Sequence, residues 1–124
     1  MFKDFPLPNH TQAPKAAEAA HCAGDQGKYW EMHDRIFENQ AALAVPSLKA
    51  HAVALGLNTA TFDQCLDSGK FAGIIEEDVK LGETLGVQST PTIYINGRAL
   101  LGAQPFDVFQ SMIDEELASK TSKK

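Results

Sequence analysis

One change of periodicity constrains this chain more than anything else in it. Thr92-Ile93-Tyr94-Ile95 and Arg98-Ala99-Leu100-Leu101 flank Asn96-Gly97. Asn-Gly between two apolar runs is the strongest short-range hairpin signal, because both central residues of a type I′ turn need positive φ. Between residues 11 and 86 the apolar residues instead recur at helical spacing. A chain of 124 residues with one hairpin after five helical segments has few ways to build a core. It must cover a small sheet with many helices.

The helical segments have readable ends. Phe2-Lys3-Asp4-Phe5 alternates apolar and polar and reads as a short strand, stopped by Pro6 and Pro8. Asn9 and Thr11 offer caps, and Pro14 falls in the first turn of a helix over residues 13–23. Its alanines at 16, 17, 19, 20 and 23 would let a neighbouring backbone approach closely. A second helix fits residues 28–39, with Tyr29, Met32, His33, Ile36 and Phe37 on one side and Trp30 beside them. Pro46 opens a third, in which Leu48, Ala52 and Leu55 share a face and Gly56 stands at C′. Asn58 or Thr59 caps a fourth that carries Phe62, Cys65 and Leu66 and stops at Gly69. A fifth covers residues 71–85, with Phe71, Ile74, Ile75 and Val79 inward, and Gly86 ends it. Pro105 opens the last helix, for which the spacing places Phe106, Phe109, Ile113 and Leu117 inward. The expected order is strand, five helices, hairpin, helix.

Composition excludes several functions. Hydrophobic residues make up 44% and the net charge is −5, so no basic stripe exists for a nucleic-acid partner. The basic end, Lys120-Thr121-Ser122-Lys123-Lys124, reads as a solvated terminus. No apolar run approaches bilayer length, and the first residues lack the basic start and apolar stretch of a signal peptide. Membrane contact is not expected. His10, His21, His33 and His51 fall in no metal-ligand spacing, so neither a metal nor a cofactor is expected. His33 reads as packed beside Trp30 and Phe37. The pairs Glu76-Glu77 and Glu115-Glu116 diverge by about 100° around a helix and read as solvated faces. Ser89 has no base placed beside it. Cys22 and Cys65 stand 43 positions apart, which fits neither a zinc site nor a redox dithiol. That spacing permits one long-range disulfide or two reduced, buried thiols. Both cysteines fall late in their helices, beside Asp25 and Asp67. The negative end of a helix dipole and a carboxylate raise a thiol's pKa. Neither cysteine reads as an activated nucleophile.

Four stretches carry a family resemblance. Gly86-Val87-Gln88-Ser89-Thr90-Pro91-Thr92-Ile93-Tyr94-Ile95-Asn96-Gly97 resembles the cis-proline loop and following strand of DsbA-like thioredoxin-fold proteins. Phe2-Lys3-Asp4-Phe5-Pro6-Leu7, Ala19-Ala20-His21-Cys22-Ala23 and Gly27-Lys28-Tyr29-Trp30-Glu31-Met32-His33-Asp34 resemble that family's second strand and helical insertion, in the same order. The likeness runs from near residue 2 to about residue 118.

The resemblance implies an α/β, thioredoxin-like (DsbA-type) fold as a single domain over residues 1–124. Residues 11–86 would be the helical insertion, and residues 87–118 the cis-Pro loop, hairpin and last helix. It implies a Cys22–Cys65 bridge and an oxidising compartment, periplasmic or secreted, against a cytoplasmic one if Met1 is the natural start. Thr90 and Pro91 would bind an extended protein or peptide, because a cis X–Pro bond leaves the preceding backbone as a short exposed edge. In this family the Cys-x-x-C turn precedes the strand matched by residues 2–5, and a βαβ unit needs roughly 30 residues. The first strand and active-site helix are therefore expected to be missing, and no catalytic dithiol is expected to be intact. The chain reads as a thiol–disulfide oxidoreductase family member, inactive alone. Alternatives are a non-catalytic peptide-binding or assembly module and a glutathione-using isomerase relative. An open sheet would also favour a homo-oligomer filled by strands of a second chain.

Overall fold

A computed structural model describes residues 1–122, and the chain divides into two compact units, Met1–Gly82 and Glu83 onward. The basic end expected at Lys120–Lys124 lies outside the residues whose side chains are described.

The first unit is a helical layer. It comprises α1 (Ala13–Gly24), α2 (Tyr29–Glu38), α3 (Val45–Ala54), α4 (Thr59–Ser68) and most of α5 (Ala72–Thr84). Helix α1 is its hub and packs against α2, α3 and α4. The alanines explain this position: Ala16, Ala19, Ala20 and Ala23 are buried and keep neighbouring helices close. Around them lie the fully buried Met32, Leu48, Ala52, Phe62 and Leu66. Burying a side chain such as Leu or Met stabilises by roughly 1.5–3 kcal/mol. Lys15 fastens α1 to α4 by donating from Nζ to Leu66 O at 2.8 Å, and within its own helix it donates to Glu18 Oε1 at 3.1 Å.

Local chemistry sets the helix ends. Pro14 and Pro46 sit in first turns, where a missing N–H costs nothing. Gln12 holds the N-cap position of α1, and neither Asn9 nor Thr11 caps it. Helix α3 ends in a Schellman motif. Gly56 adopts φ +72°, Gly56 N–H donates to Val53 O, and Leu57 N–H donates to Ala52 O. Asn58 caps α4 by accepting from Thr61 N–H at 3.0 Å. Gln26 clamps the backbone of Asn58 from both sides, with Oε1 on its N–H and Nε2 on its carbonyl.

Residues 2–5, expected as a strand, are not paired into one. The only sheet among the described residues joins β1 (Thr92–Ile95) and β2 (Arg98–Leu101). An alternating pattern favours extended backbone, but a strand also needs a neighbour for its hydrogen bonds. Here Asp4 N–H finds a side chain instead, Asp78 Oδ2 at 3.1 Å. The ring of Phe5 lies against Gly82 of α5, and Phe2 meets Tyr29, Trp30 and His33 edge-on.

The second unit holds the end of α5, the hairpin and α6 (Phe106–Ser122). Asn96 and Gly97 turn the chain with φ of +49° and +81°, and β1 pairs antiparallel with β2 in the register Ile95↔Arg98 to Thr92↔Leu101. Helix α6 departs from expectation. Phe106, Ile113 and Leu117 are exposed, Phe106 to 78%, and Phe109 is half-buried. In α5, Ile75 is buried but Ile74 is exposed. Helical spacing identifies an apolar face but not whether a neighbouring layer is wide enough to cover it. Glu115 and Glu116 are also more than a solvated pair. Both accept from Arg98 Nη1, at 2.9 and 3.3 Å, because one long guanidinium bridges the angle between adjacent positions.

Candidate functional site

The 86–91 loop owes its shape to its two ends. Gly86 takes φ +82° and terminates α5, and Thr90–Pro91 is a cis peptide. Between them the backbone is braced by three hydrogen bonds. Thr92 Oγ1 donates to Ser89 O at 2.7 Å, Gly102 N–H donates to Pro91 O at 2.8 Å, and the Tyr94 hydroxyl donates to Leu85 O at 3.3 Å. Thr90 is exposed, and neither its N–H nor its carbonyl has a hydrogen-bond partner among the described residues.

The hairpin phase extends this free edge. In an antiparallel ladder, pairs that exchange both hydrogen bonds alternate with pairs that exchange none. Ile95 and Arg98 flank the two-residue turn and form a bonded pair, as Ile93 and Leu100 do two residues on. The bond from Gly102 N–H to Pro91 O continues the same alternation. Thr90, Thr92 and Tyr94 therefore direct their backbone groups away from β2. The result is a short rail of outward-facing backbone donors and acceptors.

Cys22 and Cys65 form a disulfide, with Cα atoms 5.9 Å apart. It joins the last part of α1 to the second half of α4, and its cysteines are 1% and 8% exposed. The chain's two cysteines are both in this bridge, so it offers no free thiol.

Three of the four histidines are held by hydrogen bonds or ring packing. His51 is buried, accepts at Nδ1 from Arg35 Nε at 3.0 Å, and donates from Nε2 to Ala42 O at 3.0 Å. The Arg35 donor requires a lone pair on Nδ1, which fixes the tautomer. His33 packs against Phe37 and Trp30, with Nδ1 2.9 Å from Asp34 Oδ1. His10 is exposed in a turn. His21 contacts no metal-ligand partner set. Its Nε2 lies 2.7 Å from Asp4 Oδ2, and its ring stacks on Phe71. No group of three potential metal ligands exists among the described residues.

Sequence reasoning missed the network around Asp4. Asp4 reaches His21 across 17 positions and Asp78 across 74, and no local spacing signals such contacts. Tyr29 lies beside these carboxylates. Burial first, then the Asp4 and Asp78 charges, push its phenol up to about 12. Hydrogen bonds from Arg98 to Glu115 and Glu116 likewise hold the guanidinium proton more tightly. Among the described residues no helix is long and apolar enough to cross a membrane.

Comparison with known proteins adds two findings. A family model described as thioredoxin matches residues 1–115. Curated relatives include Na(+)/H(+) antiporters. NhaA 1 of Salinispora arenicola is 34% identical over 119 residues, covering 95% of this chain and 18% of the antiporter. NhaA of Herminiimonas arsenicoxydans is 36% identical over 97 residues, covering 78% of this chain and 16% of the antiporter. The chain thus spans less than a fifth of the length of these relatives.

Proposed function

Because the chain belongs to the thioredoxin family, we propose that it is the peptide-holding part of a thiol–disulfide oxidoreductase whose redox thiols come from outside these 124 residues. The free backbone of Thr90 in an exposed, braced loop carries this reading. A peptide adding beside Thr90, Thr92 and Tyr94 would gain main-chain hydrogen bonds, each worth about 0.5–1.5 kcal/mol net. Side chains on alternate peptide residues would set preference. Thiol exchange needs an accessible thiolate, and the buried Cys22–Cys65 bridge offers none.

Two measurements test this. Titration with an extended, uncharged peptide should shift the amide resonances of Thr90, Thr92 and Tyr94 first. Thr90→Pro, which deletes one donor, should weaken binding several-fold. The chain alone should not reduce insulin. Peptide shifts that avoid the loop, or robust insulin turnover, would each overturn the assignment.

The antiporter relatives favour a second reading. On it, the chain is a thioredoxin-fold module of a Na(+)/H(+) antiporter polypeptide, and the peptide it holds is a transporter segment. Deleting the matching segment from the Salinispora arenicola antiporter should then alter exchange in vesicles. Unchanged exchange would remove this reading and leave the first intact.

A further inference from the structure

We propose that His51 is a proton-sensitive latch. Its neutral ring holds the α2–α3 connection, residues 39–44, against the helical core, and its protonation releases that connection. The latch lies wholly within the helical unit and is independent of the function proposed above.

The latch has two arms, and together they require an uncharged ring. His51 is 5% exposed and stands in the last turn of α3. Its Nδ1 accepts from Arg35 Nε on α2, and its Nε2 donates to Ala42 O in the connection, each at 3.0 Å. A neutral imidazole has one acceptor and one donor, and these two partners use each once. The imidazolium has two donors and no acceptor. A proton on Nδ1 therefore turns the Arg35 bond into a clash of two donors and sets a second positive charge beside the guanidinium. Arg35 cannot relieve this by giving up a proton, because a guanidinium stays charged. Burial removes the water that would accept from Nδ1 instead.

No neighbouring charge offsets the new one. The last turn of a helix favours a cation, but Arg35 already supplies one at that place. Among the described residues no carboxylate is bonded to His51. The charged groups on the helices packed against α3 are engaged elsewhere or exposed. On α2, His33 is bonded to Asp34, and Glu38 is exposed. On α4, Asp67 pairs with Lys49, and Asp63 lies near the same lysine. On α1, Glu18 pairs with Lys15, and His21 with Asp4.

The ring is rigid, so leaving Arg35 carries Nε2 away from Ala42 O. The connection then keeps local bonds, Asn39 N–H to Ile36 O and Ala42 N–H to Asn39 O. Leu43, which packs against the buried cluster, loses the tie beside it. The connection is therefore closed at neutral pH and opens across the range in which histidine takes up a proton, roughly pH 8 to 5.

Amide hydrogen exchange tests the latch, with each rate expressed as protection relative to an unstructured chain at the same pH. Protection of Asn39 and Ala42 should fall at least about ten-fold across that range, the scale of losing a hydrogen bond from a charged donor. Phe62 N–H, bonded to Asn58 O at the start of α4, should hold its protection. His51→Gln keeps an amide donor for Ala42 O and does not titrate. Arg35→Gln removes the guanidinium charge and brings an oxygen able to accept from a protonated ring. Both variants should lose the acid response at Asn39 and Ala42, whereas a merely structural role would lower protection at every pH and leave the response in place. If one variant does not fold, the other decides. Constant protection in the wild-type chain, loss at Phe62 in step with Ala42, or a folded variant that keeps the response would overturn the latch.

Discussion

Removing the Cys22–Cys65 bridge should destabilise the helical unit by about 2–4 kcal/mol. The bridge closes a loop with a sequence separation of 43. In the chain-entropy model, such a loop constrains the unfolded state by about 4 kcal/mol at 25 °C, and residual structure in the unfolded chain reduces the realised value. Helices α1 and α4 also pack directly and Lys15 spans them, so their contact does not depend on the bridge alone. The variant is Cys22→Ala with Cys65→Ala, which keeps both positions apolar inside the core. The assay is urea denaturation followed by helical circular dichroism. The midpoint should fall, and the slope should rise, because an uncrosslinked unfolded chain exposes more surface. A loss below about 1 kcal/mol with unchanged slope would refute the reasoning, since the bridge would then not be constraining the unfolded chain.

Gly82→Ala puts a methyl 2.6 Å from two ring carbons of Phe5. Overpacking costs about 1–3 kcal/mol against a helix-propensity gain of about 1 kcal/mol, so a net loss near 1 kcal/mol is expected in denaturation. Phe5→Ala should convert the same substitution to a gain, and a gain without it would show that Phe5 does not occupy that place. Tyr29 gives a pH signature. Its phenol titrates near 10 when unfolded and about 12 when folded, so the folded state holds the proton more tightly. Its contribution is complete below pH 10 and is lost as pH rises toward 12. Tyr29→Phe should flatten that alkaline limb in urea midpoints measured from pH 9 to 12, and an unchanged limb would exclude Tyr29 as its source.

What the sequence made legible is what local chemistry decides. Asn96-Gly97 dictates a turn because positive φ is needed at both positions, and the hairpin register follows from it. Gly56, Gly69 and Gly86 end helices for the same backbone reason. The alanines of α1 imply close approach of a neighbouring backbone, but only the packing shows that α1 meets three helices. Features decided by distant partners were not legible. Residues 2–5 alternate like a strand, yet the backbone of Asp4 is satisfied by Asp78 on α5. The apolar positions of α6 recur correctly, but recurrence carries no information on the layer opposite, and Phe106 is exposed. Cysteine spacing permitted a bridge without requiring one. Only the positions of α1 and α4 bring Cys22 and Cys65 together. Within the candidate site, Thr90-Pro91 was visible as a motif. The outward phase of Thr92 and Tyr94 needed the register.

The two sulfur atoms and the free edge pose opposite chemical requirements, and the fold answers them in different places. Fast thiol exchange needs an attacking thiolate to reach a sulfur and a leaving thiol of low pKa. Cys22 and Cys65 lie within the helical core, late in their helices, joined to each other and shielded from solvent. That placement suits a bond meant to persist. Thr90, Thr92 and Tyr94 direct backbone groups away from β2, and unpaired groups are tolerable only in contact with water. The exposed loop meets that condition while Ser89, Pro91 and Leu85 brace it. On the proposed function, recognition would be a property of the backbone at this loop. A substitution that leaves the β1 register and the loop braces intact should change preference among peptides more than the ability to bind one.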